Sequence, residues 1–226
     1  MTKIKICGLR NLEQALAAAE AGADFLGIVF EPNSSRYVSA EVANSLVTNF
    51  SGIWTKSLPK WVGVFANQSS EDVNRILIDC NLDMAQLSGN ESMGFCRNIK
   101  RPVIRVTHVR SDVHNDVMLE EIKSSLDEDN MIGYISMLDT YKSGVGGGTG
   151  QMFNWELAEK IAETSSFFLA GGLTPENVRE AIHSVKPWGV DVSSGIETGG
   201  EKDIGKIYEF IGYVRRSDSE IYGDNS

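Results

Sequence analysis

The 226-residue sequence predicts an α/β protein, a single (βα)8 TIM barrel, from three observations. Short apolar runs alternate strictly with longer stretches of helical period; eight such runs can be placed; and the runs are continuously apolar (FLGIVF, FFLAGG), as strands covered on both faces must be. Strict alternation alone permits an open doubly wound sheet as well. The count of eight favours closure.

The strands are expected to begin near Lys3, Phe25, Lys60, Met84, Pro102, Met131, Phe167 and Gly189. Helices are read over Asn11 to Ala21, Ser39 to Asn49, Ser69 to Cys80, Asn90 to Asn98, Asn115 to Asp127, Asn154 to Glu163, Pro175 to Ser184 and Asp203 to Arg216. Several open on Ser or Asn, whose side chains satisfy the first free N–H groups of a helix. The whole chain, 1–226, reads as one domain with a frayed polar tail from about residue 217.

Composition limits the function classes. With 42% hydrophobic and 23% charged residues the chain can bury a large core, and a net charge of −10 without a basic stripe argues against nucleic acid as a partner. The start MTKIKICGLRN reaches a strand at once, leaving no room for a signal peptide, and no run approaches the ~18 apolar residues of a membrane span. A cytoplasmic protein, monomer or homodimer, without membrane association is expected. Cys7, Cys80 and Cys96 and the three histidines lack metal or redox spacing, so neither a metal nor a disulfide framework is implied.

In such a barrel the chemistry sits where strands end. Cys7 ends the first strand in KICGLRN; taken alone it is an ordinary buried residue, but at the mouth, with Gly8 giving access, a lowered pKa would make it a base. Asp139 ends the sixth strand in MLDTYKSG, ahead of the glycine-rich YKSGVGGGTG. An Asp there caps loops commonly, yet partial burial under a glycine-rich lid would keep it protonated as a general acid. A base and an acid on separate strands suit two proton transfers.

Gly171 and Gly172 after strand 7, with Ser193, Ser194 and Gly195 after strand 8, match the phosphate site that barrels build from those loops and an extra helix N-terminus. Arg36, among Asn33, Ser34 and Ser35 after strand 2, could hold a carboxylate with its planar fork or simply be solvated. The residues thus describe a phosphorylated small-molecule substrate, with a carboxylate, rearranged by thiolate and carboxylic acid without metal.

The motifs KICGLRN, VFEPNSSRYVS, VGVFAN, AQLSG, LDT with GGGTGQMFNW, LAGGLTPENV and VDVSSGIE closely resemble those of phosphoribosylanthranilate isomerases of tryptophan biosynthesis, from the first strand through the eighth. The resemblance implies Cys7 as general base, Asp139 as general acid, Arg36 on the anthranilate carboxylate and the Gly172 and Ser194/Gly195 loops on the phosphate. It also implies Gln86 and Asp191 as polar wall residues, and no cofactor. Two positions depart from the family: Ser88 stands where QLHG has histidine, and Arg105 where lysine is common; both are expected to line the mouth. A histidine-pathway sugar isomerase would carry Asp at the end of strand 1, and indoleglycerol-phosphate synthase would rely on lysines. A phosphate-binding module that has lost catalysis has no chemical reason to keep base, acid and clamp together.

Overall fold

The computed structural model describes residues 1–109, 116–139 and 155–223. Eight parallel strands close in sequence order: β1 (Lys3–Cys7), β2 (Phe25–Val29), β3 (Lys60–Phe65), β4 (Met84–Leu87), β5 (Val103–His108), β6 (Ile135–Asp139), β7 (Phe167–Ala170) and β8 (Gly189–Val192). The ring shuts where Lys3 to Ile6 of β1 pair with Gly189 to Val192 of β8. The fold expected from the sequence is the fold found.

Between the strands lie α1 (Leu12–Ala21), α2 (Ala40–Ile53), α3 (Ser70–Asp79), α4 (Met93–Cys96), α5 (Asp116–Ile132), α6 (Trp155–Ala162) and α7 (Val178–Val185), with α8 (Ile204–Tyr222) after the last. Side-chain caps start them, Asn11, Ser39 and Ser69 at the expected positions and Ser92 two residues after the expected Asn90, each accepting from the backbone N–H three residues on. Among the described residues no helix is long and apolar enough to cross a membrane.

The alternation of side chains along each strand separates two apolar regions. Leu26, Ile28, Ala85, Leu138 and Val190 face the helices, whereas Phe25, Val62, Met84, Ile104, Val106, Met137 and Phe168 fill the barrel itself. Above that plug, at the strand C-termini, Cys7 packs with Val29 and Val64. The mouth therefore has a dry floor, and Cys7 is part of it.

Several boundaries differ from expectation. The sixth strand was expected near Met131, but α5 runs through Met131 and Ile132, and β6 starts at Ile135. The apolar run MIGYISML spans a helix end: Met131 is 83% exposed, and Gly133, at φ +86°, turns the chain so that the Tyr134 N–H reaches the Asp129 carbonyl at 2.8 Å. Ahead of β5, α4 is only one turn. The frayed tail from 217 is also corrected, since α8 continues to Tyr222. Two of its polar residues, Ser217 and Asp218, are buried, the second for a clear reason: Asp218 accepts from the Thr2 N–H at 3.0 Å and the Thr2 hydroxyl at 2.6 Å, while Arg215 donates to the Thr2 carbonyl at 2.7 Å. The glycine-rich segment 141–150 and the expected helix starts at Asn115 and Asn154 lie outside the described residues.

Candidate active site

Period-two alternation puts Lys5 and Cys7 on the same face of β1, and both point into the barrel. Lys5 is wholly buried and donates to Asp191 Oδ1 of β8 at 2.8 Å. A β-carbon on Gly27 of β2 would lie 3.1 Å from both the Cys7 Sγ and the Lys5 Nζ, so the glycine leaves room for thiol and ammonium to approach each other. Burial pushes the Cys7 thiol up; the Lys5 charge opposes this, and Asp191 adds to it. The lowered thiol pKa expected from the sequence is thus corrected, because the dry floor outweighs the cation. Burial also works against the Lys5 ammonium, but Asp191 and Cys7 hold it above its ordinary value.

Asp139 ends β6, three strands from β1 around the ring, with its side chain 29% exposed. Its ladder partner on β5 is His108, whose Nδ1 is 3.8 Å from Asp139 Oδ2. Gln86, on β4, is buried and donates to the Ser88 hydroxyl at 3.0 Å; among the described residues its Oε1 has no partner. Asp191, expected as a polar wall residue, is engaged with Lys5. Arg105, expected at the mouth, points the other way: it faces α5, where its Nε donates to the buried Asp129 at 2.5 Å and its Nη2 to Ser125.

The loops after β7 and β8 form one unit. Gly171 and Gly172 have φ of +90° and +67°, and Asn177 ties their loop by donating to the Gly172 carbonyl and accepting from the Thr174 N–H. A β-carbon on Gly195 would meet the Leu173 carbonyl oxygen at 1.9 Å, so the two loops touch only because that residue is glycine. In place of the extra helix expected there, Ser194–Ile196 make a single 3-10 turn. Ser193 donates to the Cys7 carbonyl at 3.1 Å, linking this unit to the end of β1.

After the turn comes a small antiparallel hairpin, β9 (Glu197–Thr198) and β10 (Glu201–Lys202), which the sequence reading missed. Arg10 fastens it from the first loop by donating to the Gly200 carbonyl at 2.9 Å. The hairpin delivers Glu197 to Arg36: Nε and Nη2 donate to its two carboxylate oxygens at 2.6 and 2.8 Å. Lys202, almost wholly buried, donates to Glu197 at 2.6 Å and to the Ser193 carbonyl at 3.0 Å. Burial draws the Lys202 ammonium below its ordinary value against the pull of Glu197, and that carboxyl, despite burial, is held low by Arg36 and Lys202. Arg36 runs across Gly8, its Cδ 2.6 Å from where a β-carbon there would sit.

The model of the N-(5'-phosphoribosyl)anthranilate isomerase family matches residues 4–212. The chain belongs to this family. It is 42% identical over 218 residues to the N-(5'-phosphoribosyl)anthranilate isomerase of Dehalococcoides mccartyi, covering 96% of this chain and 98% of that one. Among solved structures, the phosphoribosylanthranilate isomerase of Thermotoga maritima superposes with a TM-score of 0.82 at 36% identity, over 96% of this chain and all of that one. A phosphoribosylanthranilate isomerase in complex with reduced 1-(o-carboxyphenylamino)-1-deoxyribulose 5-phosphate superposes at 0.78 and 34% identity, with the same coverage.

Cys7 and Asp139 end β1 and β6 as the sequence reading had them, with Arg36 and the two glycine loops after β2, β7 and β8; that reading did not single out Lys5, Glu197, Lys202 and His108, which the structure sets nearby. Two of these carry a signal in the sequence. Lys5 stands two residues before Cys7, hence on its face, and His108 ends a strand.

Proposed function

We propose that this isomerase converts N-(5-phosphoribosyl)anthranilate into 1-(2-carboxyphenylamino)-1-deoxyribulose 5-phosphate with Cys7 as general base and Asp139 as general acid. Asp139 protonates the ribose ring oxygen; the C1′–O bond breaks as the anilino nitrogen lone pair forms the Schiff base. Cys7 then takes the C2′ proton to leave an enolamine. Loss of the C2′ hydroxyl proton and protonation at C1′ complete the aminoketone. Only protons move, so the chemistry requires no cofactor.

The observation that carries the reading is the arrangement of the strand ends. A thiol sits on the dry floor beside a buried lysine, with a half-buried carboxyl three strands away and a two-glycine-loop cradle joined to the thiol strand through Ser193. The Gly171–Gly172 and Ser193–Ser194–Gly195 loops hold the phosphate with backbone N–H groups, Arg36 takes the anthranilate carboxylate, and Gln86 offers its Oε1 to the sugar. Holding both ends of the substrate keeps C2′ over the thiol.

The test follows the loss of anthranilate fluorescence from freshly prepared phosphoribosylanthranilate. Cys7→Ala and Asp139→Asn should each cost at least ~10²-fold in turnover, the usual scale for a positioned acid or base. Unchanged turnover in either variant removes that residue from its role, and an inactive parent chain overturns the assignment.

A further inference from the structure

A guanidinium has two edges that can grip a carboxylate, one made of Nε and Nη2, the other of Nη1 and Nη2. Glu197 occupies the first edge of Arg36, with both contacts at charge-assisted length. Among the described residues Nη1 has no acceptor, and the second edge is the one left for a ligand. Glu197 also accepts from Lys202, through the oxygen that takes the Arg36 Nε–H, and is 11% exposed, so its position is determined by the hairpin and not by solvent. Lys206 donates to the Glu197 carbonyl at 2.9 Å and secures the same residue from α8.

We propose that Glu197 is a positioning residue for substrate selection, holding Arg36 by its side edge so that the Nη1–Nη2 edge faces the ring carboxylate of the substrate. The inference rests on the role given to Arg36 above. A long arginine side chain in a loop loses rotamer freedom when it grips a ligand, and a fixed partner removes that cost before binding. It follows that Glu197 serves the carboxylate end of the substrate, while Lys202, which also reaches Ser193, serves the site as a whole.

Two substrates separate these roles: phosphoribosylanthranilate, and phosphoribosylaniline, which lacks the carboxylate. In Glu197→Gln, KM for the first should rise about 10-fold or more, the scale of one charge-assisted hydrogen bond, with kcat changed little. The second substrate should behave as in the parent. Lys202→Met removes the contact to Ser193 as well as one support of Glu197, and should therefore weaken both substrates.

Calorimetric binding of the reduced product, with and without its ring carboxylate, gives the same comparison without turnover. Glu197→Gln should lose affinity only for the carboxylated form. If the parent chain fails to turn over but this binding difference is present, the activity reading falls and the clamp stands. Equal losses on both members of either pair, or no loss on the carboxylated one, overturn the proposal.

Discussion

His108 and Asp139 are register partners at the ends of β5 and β6, with the ring Nδ1 3.8 Å from the carboxyl Oδ2. The other ring nitrogen, Nε2, is 2.9 Å from the Ser88 carbonyl, which can only accept, so Nε2 carries the hydrogen. In the neutral ring Nδ1 then turns a lone pair towards Asp139. An imidazole thus reaches the mouth from β5, tied to the Ser88 that follows β4. At 3.8 Å the two groups are in contact and not hydrogen-bonded, so His108→Ala is expected to lower kcat/KM by at most about 3- to 10-fold, the worth of one ordinary hydrogen bond. That is well short of the loss in Asp139→Asn, and steady-state kinetics on the two variants distinguish orientation of the acid from a direct share in the proton transfer.

The buried thiol has a consequence for pH. Because burial raises the Cys7 pKa, the thiolate is the minor form at neutral pH and activity should increase as pH rises towards it. Asp191 contributes to that upward push, so Asp191→Asn should move the alkaline rise to lower pH. Lys5→Met removes the opposing charge and should move it to higher pH. Profiles of kcat/KM against pH for the three proteins check the sign, and coincident profiles would mean that the rise belongs to another group.

Gly195→Ala should separate the loops after β7 and β8, since its β-carbon would lie 1.9 Å from the Leu173 carbonyl oxygen. A displacement of this size costs about 10²-fold in kcat/KM when it misplaces a substrate anchor. Gly172→Ala differs. Among the described residues nothing lies within 4 Å of a β-carbon there, and the φ of +67° resists, at roughly 1–2 kcal/mol. Its effect should be seen in urea unfolding more than in KM, whereas Gly195→Ala should show the reverse.

Arg105 and Asp129 are expected to matter for stability and not for catalysis. Arg105→Met leaves the Asp129 carboxyl, which is completely buried and shared with Ser136 at 3.0 Å, without its cation. The cost should be about 3–5 kcal/mol in urea unfolding, and the double variant Arg105→Met/Asp129→Leu should recover most of it. KM should stay near the parent value throughout.

Most strands of the barrel were legible because they are short apolar runs buried on both sides, and the strand-end rule then pointed to Cys7, Asp139 and the glycine loops. The exception is instructive: Met131 and Ile132 extend the apolar run before β6, yet they belong to a helix that Gly133 stops. Hydrophobicity alone does not distinguish the exposed end of a helix from the start of a strand. The Arg36–Glu197 pair was illegible because its members are 161 positions apart and meet through a two-residue hairpin without strand periodicity. The rise in the Cys7 pKa was missed for a related reason. Exposure was inferred from position at the mouth, while the actual packing against Val29 and Val64 comes from two other strands.

The clasp of Asp218 and Arg215 on Thr2 bears on how the protein is made. Thr2 precedes β1 directly, so the strand that closes the ring against β8 is held from beneath by side chains that leave the ribosome more than two hundred residues later. Until α8 has emerged, a nascent barrel has an unlatched seam between its first and last strands. A stop codon placed before Asp218 should therefore yield a chain with every catalytic group present and its β1–β8 amides quick to exchange with deuterium.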